Sequence, residues 1–494
     1  MFREILVQAA GPETRVAVIE DGQLAEIYVE RSNYQGLVGN IYKGIVQNVL
    51  PGMNAAFVDI GLEKNAFLYV DDVLSYNQRG DIYGSGEGRR PNIRDMVKEG
   101  QQLVVQISKE PIGSKGARAT TQLTLPGRYL VLLPTVEYIG LSRRIEDELE
   151  RERLRTVAEN IKPDNVGLIV RTVAEGVPRE ELQEELEILL RMWERLQSKI
   201  KNSGAPVVIH RDLGLIQRTL RDLFGNDFQR LCVNSRDVYE KVEYYLDIFA
   251  PGLKKKVYLD DMANLFAKYN IDKEIEHALQ RKVWLKSGGY LIIDETEALT
   301  AVDVNTGKYV GNTNLSDTIL RTNLEAAREI ARQVRLRNIG GIIIIDFIDM
   351  AEEEHREEVL QTLEEEMKKD KVRAHVLGIT SLGLVEMTRK KTRQSLSRTL
   401  EKACPYCEGK GRVLSEETVY LRLRTELLEA ARSLAANQFI LEVPESLSAY
   451  LTADNGELLN CLEQETGRKL YIEKKNDLMP EKYYIRAICS FEGD

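Results

Sequence analysis

Four consecutive isoleucines, Ile342–Ile345, run straight into Asp346, and this stretch limits what the chain can fold into more than any other. A run so apolar and β-branched, opened by Gly340-Gly341, predicts a strand over Gly341–Phe347 buried at the centre of a sheet. An acidic residue closing such a strand is costly unless something compensates it. Upstream, GGYLIIDETEALTAVDVNTGK predicts two strands joined by a polar turn at Asp294–Thr296. The second, Ala298–Val304, delivers Asp303, and period two puts Asn305 on the same face. With helices over 316–337 and 352–369 and two further strands, Lys282–Met387 reads as an α/β domain.

Carboxylates at corresponding strand ends repel each other unless a cation lies between them. Two readings stay open at this point. Asp303 and Asp346 are either strand-end caps paired with arginines, or ligands of a Mg²⁺ ion. Mg²⁺ favours one or two protein carboxylates, keeps several waters and takes its remaining ligands from phosphate oxygens. It would activate water and neutralise charge during attack on a phosphodiester. Asn305 fits the second reading, since an amide can hold water or phosphate without adding charge.

At 494 residues the chain is too long for one core, so several domains are expected. A net charge of −10 excludes a protein that coats nucleic acid by bulk attraction, so any such site is local. Met1–Ala10 lacks the separate basic and apolar regions of a secretory signal, and no apolar run is long enough to cross a bilayer. The five cysteines are odd in number, with Cys232, Cys461 and Cys489 isolated in sequence. That pattern predicts a cytoplasmic protein without a disulfide framework.

Strand-like runs at Glu4–Gln8, Arg15–Ile19 and Leu24–Val29 open the chain. Gly36–Thr124 reads as strand after strand, the pattern of a small closed barrel, with a polar surface loop at Ser75–Pro91. Phe57 and Phe67 fall on separate strands of it, among Lys43, Lys64, Lys109, Lys115 and Arg118. They are either core or a surface that stacks bases. Charged amphipathic helices at Glu146–Asn160 and Arg179–Asn202 flank a strand at Gly167–Thr172. Its closing Arg171-Thr172 suits a terminal phosphate or is simply solvated. Thr388–Arg412 holds eight basic residues against two acidic, either a solvated helix face or a phosphate-binding wall beside the aspartates. In CPYCEGKG, Cys404 and Cys407 supply half of a tetrahedral Zn²⁺ site. The same pair from a second protomer is the simplest completion, giving a Cys₄ link in a homodimer. A small α+β piece follows from Glu416.

SGGYLIIDETEALTAVDVNTGK and IGGIIIIDFIDM together resemble the paired catalytic signatures of the ribonuclease E/G family, and the resemblance extends from the N-terminus to at least Arg412. It implies a Mg²⁺-dependent endoribonuclease that cuts single-stranded RNA to 5′-phosphate and 3′-hydroxyl ends, in ribosomal RNA processing and messenger RNA decay. Asp303 and Asp346 would bind the metal, and Asn305 would help position the attack. Gly39 through about Leu125 resembles an S1 RNA-binding domain, which implies RNA contacts by Phe57, Phe67 and Lys115. A pocket for a 5′-monophosphate is implied at Arg171, Thr172, Arg373 and the backbone near Gly127 and Val131. The cysteine motif is implied to form a zinc link between subunits, with dimer against tetramer left open.

The implied fold is multidomain, α/β and α+β, with the S1 (OB-fold) barrel inserted in a ribonuclease H-like domain. Residues 1–35 and 215–280 would form that domain, 36–125 the barrel and 126–214 a 5′-end sensor. A deoxyribonuclease I-like catalytic domain would span 281–400, the zinc link 401–415 and a small C-terminal domain 416–494. The chain is similar to the short members of the family, which lack a scaffold tail. Two rival classes remain: a non-catalytic S1-domain RNA-binding scaffold and a metal-dependent deoxyribonuclease.

Overall fold

Asp21 and Gly22 both adopt positive φ (48° and 81°), the backbone that a type I′ hairpin demands, and they join two of the first three strands. These are β1 (Arg3–Ala10), β2 (Glu13–Glu20) and β3 (Gln23–Arg31), an antiparallel meander. The computed structural model describes residues 2–31, 36–73, 92–111, 115–260, 262, 264–307, 315–434 and 436–488. The expected loop at Ser75–Pro91 and Cys489 lie outside the described residues. Contacts divide the chain into two units, 1–399 and 400–494.

The expected barrel is present. β4 (Ile41–Leu50) pairs with β5 (Ala55–Asp59), which pairs with β6 (Ala66–Tyr69). β7 (Gln102–Lys109) and β8 (Arg118–Thr120) close the ring, because β7 bonds to β4 and β8 bonds to both β6 and β7. Val46, Ala56, Val58, Leu68, Val105 and Ile107 fill it.

Beyond it, β9 (Leu125–Pro126), β10 (Leu130–Leu133), β11 (Ile139–Leu141) and β12 (Gly167–Val170) form a second small sheet. Helices Glu148–Ile161 and Arg179–Asn202 bury Leu154, Leu182, Leu186 and Leu189 in its core. β12 ends two residues before the expected limit, since Thr172–Ala174 turn into a 3-10 helix. β13 (Val207–His210) then adds to the barrel edge beside β4. β14 (Arg230–Val233) and β15 (Val257–Leu259) return to β1 as parallel neighbours, giving the order β15-β14-β1-β2-β3. Everything between β3 and β14 is thus an insertion into the first sheet.

The sheet that carries the aspartates has six strands rather than the five expected. β16 (Lys282–Trp284) precedes β17 (Tyr290–Glu295), β18 (Leu299–Asn305) and β19 (Gly341–Asp346), followed by β20 (Ala374–Ile379) and β21 (Val385–Arg389). The order is β16-β17-β18-β19-β21-β20. Helices Leu315–Leu336 and Glu353–Met367 share one core with Leu291, Ile293, Val302, Val304, Ile343 and Ile345. Each such side chain contributes about 1.5–3 kcal/mol on burial. The isoleucine strand is central, as expected, but it is covered on one face only: Ile343 and Ile345 are buried while Ile342 is 50% exposed. The opposite face of the sheet is open.

In the second unit, helix Glu416–Ser433 packs on β22 (Gln438–Val443), β23 (Lys469–Lys474) and β24 (Tyr484–Ile488), in the order β23-β22-β24. Leu423, Leu427, Phe439 and Leu441 form its core. Among the described residues no helix is long and apolar enough to cross a membrane.

Candidate functional site

Because β18 and β19 are parallel and adjacent, Asp303 and Asp346 are direct register partners at their C-terminal ends. Both side chains are exposed on the open face. The Asn305 amide donates to Asp303 Oδ2 at 2.8 Å, so the pair and the amide form one group. Among the described residues neither carboxylate has an arginine or lysine ion-pair partner; nearby Arg281 is held by Asp294. The strand-cap reading required such a partner. Partial burial, then the charge of Asp303, then that of Asp349, push the Asp346 carboxyl above its usual range. An added cation at this position would relieve that repulsion.

Two supports for the pair were not singled out in the sequence. Asn323, fully buried in the 315–336 helix, donates to the Ile348 carbonyl at 2.8 Å and accepts from the Ile348 amide at 3.1 Å, fixing the turn that follows Asp346. Gly307 (φ +62°) packs so closely on the Gly288 carbonyl that a side chain there would collide with it. The glycines of SGGY and NTG are therefore explained by close approach of two backbones beside Asn305. Asp349, inside the quoted motif, adds a third negative charge.

On the barrel, Phe57 and Phe67 are register partners across β5 and β6, with ring centroids 5.8 Å apart in an edge-on arrangement. Both are half-buried, outside the closed core. Lys115 is exposed and precedes Ala117, whose carbonyl accepts from the Phe67 amide at 2.7 Å. Other basic residues of this region have structural partners. Lys43 donates to the carbonyls of Ile200 and Ser203 at 3.1 and 2.7 Å, Arg118 pairs with Asp72 at 2.7 Å, and buried Arg128 donates to the Leu220 carbonyl at 2.8 Å.

Four of the five end-sensing positions lie together. Arg171 donates to the Gly127 carbonyl at 2.6 Å and pairs with Asp222 at 2.7 Å. Burial opposes ionisation of Asp222, but its bond to Arg221 and the charges of Arg221 and Arg171 hold its carboxyl below the usual range. The Thr172 hydroxyl is 2.8 Å from that of Ser142, and Val131 pairs with Ile169 beside it. Arg373 is exposed just before β20, where its guanidinium donates to His375 at 2.8 Å. Its neighbour Lys371 meets both Arg144 and Asp222, which ties this segment to the Arg171 cluster. The Gly127–Leu130 turn is itself held by buried Glu185, which accepts from the amides of Arg128, Tyr129 and Leu130 at 2.6, 2.8 and 2.8 Å.

Within the first unit, the start of the basic stretch does not flank the aspartates. Arg389 pairs in register with Gly341, at the opposite end of β19 from Asp346, because β21 runs antiparallel to it. Arg389 is buried against Asp370 at 2.7 Å, and Arg393 stacks on Tyr28. Cys404 and Cys407 form a turn in which the Cys407 and Tyr406 amides pull the Cys404 thiol below its usual range, while the Gly411 amide donates to Cys407 Sγ at 3.3 Å. Amide-bonded sulfurs of this kind suit thiolate metal ligands. Among the described residues no cluster of three or more metal-ligating side chains is present.

An open-faced sheet with paired carboxylates, joined to a barrel with surface aromatics, fits the class of nucleases that act on RNA. A model of the ribonuclease E/G family matches residues 124–392, and one of the RNase E/G thioredoxin-like domain matches 403–488. Over 477 residues the chain is 43% identical to ribonuclease G of Escherichia coli K12, covering 96% of this chain and 97% of that protein. Ribonuclease G of Haemophilus influenzae is 42% identical over 98% of this chain and 99% of its own length. Ribonuclease E of Nostoc is 42% identical over 80% of this chain and 57% of its own length. The chain belongs to the ribonuclease E/G family and is an endoribonuclease. Its C-terminal α+β piece is the family's thioredoxin-like domain.

Proposed function

We propose that this endoribonuclease hydrolyses internal phosphodiesters of single-stranded RNA at Asp303, Asn305 and Asp346, with Mg²⁺ held between the two carboxylates. The observation that carries the reading is their direct pairing on an open sheet face, with no arginine or lysine ion pair to either carboxylate among the described residues. When bound, the ion would supply positive charge for the phosphate oxygens and acidify water. Asp303 and Asp346 would hold it, leaving its other positions to water and phosphate. Asn305, anchored on Asp303, presents its amide to water or phosphate without adding charge. Water attacks phosphorus, the bond to O3′ breaks and O3′ takes a proton, leaving a 5′-phosphate and a 3′-hydroxyl.

The barrel would bind RNA as an S1 domain through Phe57, Phe67 and Lys115. The Arg171, Thr172, Gly127, Val131 and Arg373 group would favour a 5′-monophosphate over a triphosphate, a phosphate competing with Asp222 for Arg171. The return of β14 and β15 to β1 supports reading residues 1–35 and 215–280 as one ribonuclease H-like domain around the insertion. The sheet of 281–400 would be deoxyribonuclease I-like. Cys404 and Cys407 would share Zn²⁺ with a second protomer, in a cytoplasmic enzyme of ribosomal RNA processing and messenger RNA decay.

The test is cleavage of one short single-stranded RNA bearing a 5′-monophosphate or a 5′-triphosphate, with Mg²⁺ or with chelator. Cleavage is expected only with Mg²⁺ and faster for the monophosphate. Asp303→Asn is expected to abolish it while RNA binding persists. Wild-type rates in Asp303→Asn would remove the site assignment, and equal cutting of double-stranded DNA would favour the deoxyribonuclease.

A further inference from the structure

The open face carries a second group in register with the aspartates. Trp284 pairs with Tyr290 across β16 and β17, and Tyr290 pairs with Asn305 across β17 and β18. One row is thus Trp284–Tyr290–Asn305. The adjacent row is Lys282–Ile292–Asp303–Asp346. Register partners share a sheet face, so Trp284, Tyr290 and Lys282 lie on the face that presents the carboxylates. Trp284 is 63% exposed. Its ring meets that of Tyr290 edge-on at 5.4 Å, and Lys282 Nζ sits 3.8 Å from the Trp284 ring and 3.6 Å from that of Tyr290.

A large indole left in water costs free energy that burial against the core would have recovered. Here the ring has a neighbour on its edge and a cation over one face, yet the side chain remains largely exposed, which leaves the other face for a base. Such a pairing of flat aromatic surface with positive charge suits an unpaired nucleotide, whose base stacks and whose phosphate is drawn to the cation. The position fits as well. Trp284 lies two strand spacings, about 10 Å, from Asn305, close enough for a nucleotide flanking the scissile phosphate to reach it.

We propose that Trp284, Tyr290 and Lys282 form a base-stacking subsite for a nucleotide flanking the cleaved bond. This rests on the reading of Asp303 and Asp346 as the cleavage site. The subsite positions RNA and takes no part in bond breaking. Because it recognises a ring face, it tolerates any base but requires one. It also favours single strands, since a base held in a duplex offers no free face to the indole.

The experiment compares full-length wild type, Trp284→Ala and Trp284→Phe on a 5′-monophosphorylated single-stranded RNA, and on copies lacking one base at each position around the cut. Trp284→Ala is expected to raise KM about 10-fold with a smaller change in kcat, and Trp284→Phe to restore most of it. One abasic position is expected to erase the difference between wild type and Trp284→Ala. Lys282→Gln is expected to lower the salt slope of log KM by about 0.7. Trp284 and Trp193 are the only tryptophans. In a Trp193→Phe, Asp346→Asn chain, RNA is therefore expected to quench the remaining fluorescence. An unchanged KM in Trp284→Ala with normal cleavage overturns the subsite alone. So does a changed subunit mass with unchanged KM, which would make this face a contact between copies. No cleavage by wild type would overturn the underlying reading.

Discussion

Glu185 sits in the middle of a charged helix, where a glutamate is ordinarily solvated, yet it is buried and accepts three backbone amides from the Arg128–Leu130 turn. The helical period sets it apart from its exposed neighbours Glu184 and Glu187, since it lies three residues after Leu182 and four before Leu189 on the buried face, but its partners lie far away in the chain. Its removal would leave three amides without an acceptor, at about 1–3 kcal/mol each. Glu185→Gln keeps the size and one acceptor. It is expected to destabilise the protein by about 2 kcal/mol in urea unfolding. It is also expected to narrow the monophosphate-over-triphosphate ratio of kcat/KM while leaving triphosphate cleavage nearly unchanged. An unaltered ratio would separate the turn from end sensing. Asn323→Ala is a second residue-scale case, since it frees the turn after Asp346. There kcat is expected to fall at least 10-fold with little change in RNA affinity, measured by single-turnover kinetics against filter binding.

At the scale of elements, the helix 315–336 is the clearest link between the sheet that carries the aspartates and the first sheet. Arg335 on it is buried and pairs with Glu20 on β2 at 2.9 Å and Glu26 on β3 at 3.0 Å. Burial opposes ionisation of Glu26, but the charge of Arg335, with hydrogen bonds from Tyr28 and Arg335, holds its carboxyl below the usual range. A lowered folded value means the pair stabilises the protein above the usual glutamate range and loses that contribution as pH falls through the folded value. Arg335→Ala is expected to cost about 3 kcal/mol near neutral pH, because it leaves the buried Glu26 carboxylate without its cation, while Glu20 keeps Arg3. It is also expected to lack the acid-side decline, which thermal melts across pH would show. The elements themselves were largely legible. The strands of the meander, the barrel and the 179–202 helix follow their periods closely. The isoleucine run misled on one count: four apolar residues read as covered on both faces, but a strand's sequence does not reveal whether a second layer exists. β16 was missed because Lys282 and Trp284 face outward, which leaves a three-residue strand without an apolar signature.

For the whole molecule, the aspartate pair was legible because an acid after four isoleucines conflicts with burial. The start of the basic stretch, Arg389 to Lys391, lies elsewhere than expected because charge alone does not reveal direction. β21 runs antiparallel to β19, so Lys390 and Lys391 emerge beside Gly340 and Gly341, at the end away from Asp346. Assembly is where the sequence reaches furthest beyond one chain. Cys404 and Cys407 are both free, Cys404 is exposed, and their sulfurs accept backbone amides, yet among the described residues no further ligand completes a tetrahedral site. Two thiolates leave two positions of a zinc ion open, and in the proposed dimer a two-fold axis would fill them with the same pair from a partner. The expected zinc content is therefore half an equivalent per chain by elemental analysis. Cys404→Ser is expected to abolish it and to halve the mass in light scattering. If the link only assembles protomers, Cys404→Ser still cuts a short RNA when the protein is concentrated enough to associate, and loses activity on dilution faster than wild type. One full equivalent of zinc per chain would place all four ligands within a protomer and remove the shared site.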